Sequence, residues 1–293
     1  MELELIAKFK AHPRHAQAVA FAPGGDEVVT TGMDALAQVW SVPGFDLVRT
    51  FSGHEKSVNS AAIAPDGKSV ITGSTDRTAI VWDWETGEQV VRLPGHRNTL
   101  AASAFSPSGD LAVTASYDGR IGFWPYGSES LEIVVSHPRN VGCVSFASSG
   151  AELATSGIGN LVKIWDVESR NVVREIEAPG QAATGCLFMP GGQLLCWTYE
   201  GHLVALSPES YENLTSGQME GGGPNSVATV PDTGLLMCSV AGGVRMLDSD
   251  TLETVAAAET GIKGMYGVAA SPDGSKVAAV SADGRLRVWG IAT

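Results

Sequence analysis

The chain has 293 residues and a net charge of −13. A nucleic-acid ligand calls for a basic footprint that neutralises phosphates, and this balance argues against one. With 44% apolar residues, 17% charged residues and 35 glycines, the composition is that of a globular, turn-rich chain and excludes a disordered one.

The first stretch, MELELIAKFKAH, alternates charge and has no long apolar core, so it is not read as a signal peptide. No later apolar stretch approaches the roughly 20 residues of a membrane helix. A soluble, cytoplasmic protein with no membrane insertion is expected. Cys143, Cys186, Cys196 and Cys238 sit in apolar runs such as VGCVSF, without C-x-x-C or zinc-ligand spacing, and read as small buried thiols.

From there the chain repeats. GMDALAQVW closes on Trp40, STDRTAIVW on Trp82, SYDGRIGFW on Trp124 and GIGNLVKIW on Trp165. TYEGHLVAL then closes on Leu206, VAGGVRML on Leu247 and SADGRLRVW on Trp289. The steps are 41 or 42 residues, which makes seven units. A Pro-x-Gly-like turn precedes each closing residue, from PGGD in the first unit to PDGS in the last. Short alternating runs bounded by Gly, Asp and Pro predict strands joined by tight turns. In the second unit four are predicted, near SVNSAAIA, SVITGS, TAIVWDW and EQVVRL. No helical periodicity of useful length is present.

The period, the Gly-His pairs at Gly53-His54 and Gly95-His96, and the Trp-Asp pairs at Trp82-Asp83 and Trp165-Asp166 resemble the WD-repeat family. The resemblance spans essentially the whole chain and is weaker in the fifth and sixth units. It implies an all-β, seven-bladed β-propeller of four-stranded antiparallel blades, a single domain over residues 1–293. The chain stops just after Trp289, one strand short, while ELIAKFKAH resembles the fourth-strand segments DLVRTFSGH and EQVVRLPGH. The N-terminal strand is therefore expected to complete the last blade and close the ring.

Ser74, Asp76 and the upstream His54 contain the parts of a hydrolytic triad. The same set recurs 42 residues later as His96, Ser116 and Asp118, each with its tryptophan, Trp82 or Trp124. A nucleophilic site is normally built once, and GSTD lacks the G-x-S-x-G elbow. The repetition therefore reads as a structural device. The resemblance implies a hydrogen-bonded chain from Asp to His, His to Ser or Thr, and Ser to the Trp ring nitrogen. On the serine reading the first unit lacks its hydroxyl, with Gly32 there, and the fourth lacks its carboxylate, with Gly159 there.

The resemblance also implies a docking face at the top of the ring, reached by the residue before each tight turn and by the start of each innermost strand. Mapped onto this sequence, those positions include Tyr117, Tyr199, Tyr266, Met33, Ile158, Asn59, Thr75, Gln17 and Asn140. This set is uncharged and carries three tyrosines, the composition of an interface core. Arg14, Arg97 and Arg139 lie in the neighbouring loops and read either as solvated charge or as a receiver for an acidic segment. Neither a metal nor a cofactor is expected: EGGGPNS has no following P-loop lysine, and the nearby histidines have no carboxylate or cysteine at ligand spacing. The resemblance thus implies a non-catalytic scaffold that docks a partner protein or peptide, itself a monomer within a complex. A fixed subunit bound through its blade sides is the alternative, with Val90, Val91, Ile133 and Val134 as candidate contacts. A propeller enzyme would need convergent acids or bases at the channel mouth.

Overall fold

Turns set the architecture. Each Pro-x-Gly-like segment reverses the chain after six or so residues, too soon for a helix to repay nucleation, and β-branched runs fill the intervals. A computed structural model describes residues 1–178, 180 and 182–292, and these form 28 strands in seven four-stranded antiparallel sheets. Six sheets are made of four consecutive strands. In the second blade these are Val58–Ile63, Ser69–Ser74, Ala79–Asp83 and Gln89–Leu93, running from the centre outward.

The seventh blade is built from both ends of the chain. Met265–Ala270, Lys276–Ser281 and Arg285–Ala292 are completed by Glu2–Lys10. Leu3 stands opposite Ile291 and Phe9 opposite Leu286, with one bulge between Leu5 and Ala7. The closing segment then enters the first blade through two amide bonds, from Ala11 and His12 to the Gly284 carbonyl at 3.0 and 2.9 Å. Phe9 meets the Trp40 ring edge-on at 4.8 Å, so the seam between last and first blades is packed as well as hydrogen-bonded.

The core lies between blades. The second strand of a blade is covered on both faces and reads as a continuous buried run, as in Ser69–Ser74 and Leu111–Ser116. Outer strands alternate instead, as in Thr254–Glu259. One such seam packs Val162 and Ile164 against Phe188, Leu194 and Val204. Of the outer-strand residues singled out from sequence, only Val90 is exposed; Val91, Ile133 and Val134 are half-buried, and Val91 and Val134 pack against the buried core. The four cysteines form no disulfide; Cys143 is half-buried and the others are buried. Burial pushes the Cys196 and Cys238 thiols up to about 12, so they stay protonated.

Gly284 shows how tightly the seam is drawn. Its φ is +71°, and a Cβ there would collide with the carbonyls of His12 and Arg14. Gly127 has a similar φ of +82° but open space around it. Gly284→Ala is therefore expected to lower unfolding free energy by roughly 2–4 kcal/mol, against about 1 kcal/mol for Gly127→Ala. Denaturant titrations of the two variants measure the difference, and equal losses would show that the seam tolerates a side chain.

Candidate functional site

Two kinds of segment meet on one face of the ring. A lead-in loop precedes each innermost strand, and a tight turn joins the second and third strands. They are laced together by backbone bonds: Met33 N to His15 O, Thr75 N to Ser57 O and Tyr117 N to Thr99 O, all 2.9 Å, and Ala282 N to Gly264 O at 2.7 Å.

Beneath this lacing lies the polar network, with a different hydroxyl at its centre from the one expected. In the second blade His54 Nδ1 meets Asp76 Oδ2 at 2.8 Å, and His54 Nε2 meets Thr72 Oγ1 at 2.8 Å. Trp82 Nε1 donates to the same Thr72 Oγ1 at 2.8 Å. A carboxylate can only accept, so Nδ1 carries the proton facing Asp76. In the neutral ring Nε2 then accepts the Thr72 hydroxyl proton, and that oxygen is left to receive the indole N–H. Thr72 is thus the shared hub, and the assignment of Ser74 and Ser116 to that place is corrected. Both side chains leave the same face of the strand, and position along it is the reason: Thr72 lies within reach of the indole, whereas Ser74 lies at the strand end and turns to the loop.

Ser74 has other work. Its Oγ accepts the Asp76 amide at 3.0 Å and donates to the Lys56 carbonyl at 3.2 Å. Asp76 also accepts the Glu55 amide at 3.0 Å. In the third blade Ser116 repeats this with Asp118 and Asn98, and Asp118 accepts the Arg97 amide at 2.7 Å. Serine and aspartate therefore clasp each lead-in loop to its turn. Neither serine contacts its histidine, so no nucleophile–base pair exists in these trios.

Read with threonine as hub, the network survives further round the ring than the serine position suggests. In the first blade His12, Thr30 and Trp40 join through Thr30 Oγ1, at 3.0 and 2.9 Å, and Asp34 holds His12 at 2.9 Å. In the fourth, His137 and Trp165 meet Thr155 Oγ1, both at 3.0 Å, without a carboxylate. The third keeps His96 and Thr114, but Trp124 instead donates to the Ser128 carbonyl at 2.6 Å, a second correction. The signal was legible: Thr30, Thr72, Thr114 and Thr155 each lie ten residues before a tryptophan.

The weaker blades replace the device as a whole. In the fifth, Ala178, Cys196 and Leu206 stand where His, Thr and Trp stood, and pack in one apolar cluster. In the sixth, Met219, Met237 and Leu247 stand at these places, all buried. Exchanging every partner for an apolar one leaves nothing unsatisfied at these places. The seventh substitutes an ion pair. Ala279 replaces the threonine, and across the strand pair Arg287 occupies the freed space. Its guanidinium, 3% exposed, bonds Ser281 Oγ at 2.7 Å and Asp283 Oδ2 at 2.6 Å.

These contacts set the charge states. Burial raises the Asp76 carboxyl, but bonds from His54, Thr78 and the Glu55 amide more than offset it and hold it well below the ordinary value. Asp283 is depressed likewise: burial opposes, and the bonds from Arg287 and Ser281 prevail. The turn carboxylates are therefore ionised but engaged inward. His137 has no carboxylate partner, and burial, with Lys163 adding to it, pushes its imidazole down to about 4.

Above the network the positions mapped from sequence fall into three groups. Met33, Tyr117, Ile158 and Tyr199 project from tight turns of the first, third, fourth and fifth blades, 39%, 43%, 56% and 75% exposed. Thr75 takes the same place in the second, half-buried. Asn59 serves a joint: its amide donates to Thr75 Oγ1 at 3.1 Å and to the Leu100 carbonyl of the next blade at 2.9 Å. Asn225 makes the same staple to Met265 O at 2.8 Å. Tyr266 is half-buried and stacks beside His15, ring centroids 5.6 Å apart. Gln17 is half-buried at the channel wall, and Asn140, also half-buried, has a φ of +42°.

The innermost strands enclose a central channel of about 270 Å³, lined by Gln17, Asn59, Ser103, Thr184 and Asn225 among others and by no charged side chain. Among the described residues no cluster of three His, Cys, Asp or Glu is placed to hold a metal ion, and no helix is long and apolar enough to cross a membrane.

The family model described as the IFT122 first beta-propeller matches residues 15–290. No curated protein matches the chain.

Two measurements test the network. Thr72→Val removes one hydroxyl and strands two buried groups, so it is expected to cost about 2–4 kcal/mol, against about 1 kcal/mol for Ser74→Ala at the more open turn. Equal denaturant midpoints would return the hub to Ser74. For His137 the folded pKa, about 4, lies below the unfolded value, about 6.5. The unfolded chain therefore takes the proton first, and stability falls as pH drops from about 6.5 to about 4, by up to roughly 3 kcal/mol. Unfolding of wild type and His137→Gln at both ends of that window measures this; the variant's shallower slope is the expected result.

Proposed function

The chain belongs to the IFT122 first beta-propeller family, and from that premise we propose that it is a non-catalytic, cytoplasmic scaffold that docks a partner protein on the face carrying the lead-in loops and tight turns. One observation carries this reading. Met33, Tyr117, Ile158 and Tyr199 occupy the same turn position on four blades and all project into solvent. Large apolar side chains repeated at one level of one face favour an interface over scattered surface exposure. Tyrosine buries much area for little side-chain entropy, so Tyr117 and Tyr199 are the expected energetic centres. The half-buried Tyr266, braced by His15, adds a preorganised contact at the channel rim. Gln17, Asn140 and Thr75 supply hydrogen-bonding groups beside them. Asn59 acts indirectly, by fixing the spacing of the second and third blades.

A specific feature favours a second reading, attachment through the blade sides. A groove of about 460 Å³ between the second and third blades is lined by Val81, Val90, Val91, Trp124 and Tyr126, with Val90 60% exposed. A fixed subunit would cover it.

Affinity purification with cross-linking from the native source separates the readings. Cross-links at the lead-in loops and turns are expected, and Tyr117→Ala with Tyr199→Ala is expected to weaken the partner at least about tenfold. Cross-links confined to outer strands would favour the side groove. Turnover of a metabolite with no co-purifying protein would overturn both.

A further inference from the structure

The charge on the docking face is opposite in sign to that of the chain as a whole. Arg14, Lys56, Arg77, Arg97, Arg139 and Lys263 all lie in its lead-in loops or tight turns, and all are exposed. Among the described residues none of the six takes part in an ion pair. They occupy one continuous arc, from the seventh blade through the first to the fourth. This is six of the 19 lysines and arginines of a chain whose net charge is −13.

The acids on the same arc do not cancel them. Asp34, Asp76, Asp118 and Asp283 are on these turns, but each carboxylate is turned inward onto a histidine or arginine, at 2.9, 2.8, 3.3 and 2.6 Å. Glu55 is the one exposed acid among the arc's loops and turns, and Glu200 and Glu220 lie beyond it on the fifth and sixth blades. The opposite face is acidic instead: the Pro-x-Gly-like turns and their neighbours carry Asp26, Asp66, Asp110, Asp232 and Asp273. The distant negative charge has little reach, because the Debye length is about 8 Å at physiological salt. A ligand lying on the arc meets the six cations and not the far face.

The clasps add a geometric argument. The Asp118 carboxylate accepts the Arg97 backbone amide at 2.7 Å, which holds the loop while leaving the Arg97 side chain directed outward. Arg139 and Tyr117 are tied by the Asn140 amide to the Tyr117 carbonyl at 3.4 Å. Cationic groups thus alternate with the apolar side chains of Met33, Tyr117 and Ile158. Guanidinium groups spaced this way suit carboxylates, to which each can donate two parallel bonds, and the interleaved apolar groups suit side chains between those carboxylates.

We propose that the partner segment seated on this face is an acidic peptide with interspersed apolar residues, lying along the arc from the seventh to the fourth blade. This rests on the docking reading above and names the chemistry of the occupant. A nucleic acid is disfavoured by Glu55 within the arc and by the apolar groups that separate the cations, which leave no continuous track for phosphates.

Selection of a random peptide library displayed on phage against the full chain tests it. The peptides recovered are expected to carry net negative charge. Synthetic copies measured by fluorescence anisotropy are expected to bind at least about tenfold more weakly to a chain carrying Arg14→Glu, Arg97→Glu and Arg139→Glu, and to weaken as salt rises. These side chains are exposed, so the variant should retain the wild-type melting temperature. Neutral or basic peptides that bind this variant and wild type alike, yet lose binding to Tyr117→Ala with Tyr199→Ala, would overturn the acidic occupant and leave docking intact. Peptides indifferent to both variants, or a library yielding no binder, would overturn the docking reading and this proposal with it. Single-stranded polyuridylate displacing the selected peptides from the arc would replace the acidic peptide with a nucleic acid.

Discussion

Everything in this ring depends on the pairing of Glu2–Lys10 with Arg285–Ala292. Seven twisted sheets packed face to face leave a gap that must be bridged, and an unbridged outer edge is a template for other chains. Here the bridge is made of strand hydrogen bonds, the two amides on the Gly284 carbonyl and the Phe9–Trp40 contact. The ends of the chain are thereby placed in one blade, and the positions of all seven lead-in loops follow from a closed circle.

In the first, second and fourth blades a shared threonine oxygen joins the indole to the imidazole. A hydroxyl that satisfies both an indole and an imidazole removes two unpaired buried groups at once. The imidazole then positions a carboxylate, and the carboxylate holds the lead-in loop by its amide. The consequence reaches the surface: in the second and third blades, Glu55 and Arg97 are presented from loops whose backbone is pinned from below. The same pinning consumes the negative charge of the turns, which is how an acidic chain presents a cationic arc. Stability and electrostatic presentation are served by one set of bonds.

The ring is not uniform in how it meets this need. Four blades use the threonine hub, two are apolar throughout, and one uses a buried arginine. The solutions differ in completeness: the fourth blade keeps its threonine hub without a carboxylate on His137, and the fifth leaves the buried Trp197 Nε1 without a hydrogen-bond partner. Trp124 is the intermediate case: it keeps its ring in the core while its N–H goes to Ser128 O. The fifth and sixth blades lack both the clasps and the exposed cations, whereas the fourth, with no turn carboxylate, keeps the exposed Arg139.

The sequence by itself determined the seven-fold repeat, the four strands per blade, the return of the N-terminal strand to the last blade and the structural nature of the Ser–His–Asp trios. These are written in spacing: a period of 41 or 42 residues and a turn signal in each copy need no knowledge of what touches what. The turn positions of Met33, Tyr117, Ile158 and Tyr199 were legible for the same reason. Only the tertiary structure decided which hydroxyl is shared, because Thr72 and Ser74 are two residues apart on one strand and sequence does not say which one the indole meets. Pairing across strands also placed Arg287 opposite Ala279, a substitution with no counterpart in the repeat. Whether a polar residue at the strand start faces a partner or the next blade was likewise a matter of packing, and Asn59 went to the next blade. The sign of the face carrying the lead-in loops came last: net charge is a sum over the chain, whereas the arc depends on which carboxylates are turned inward.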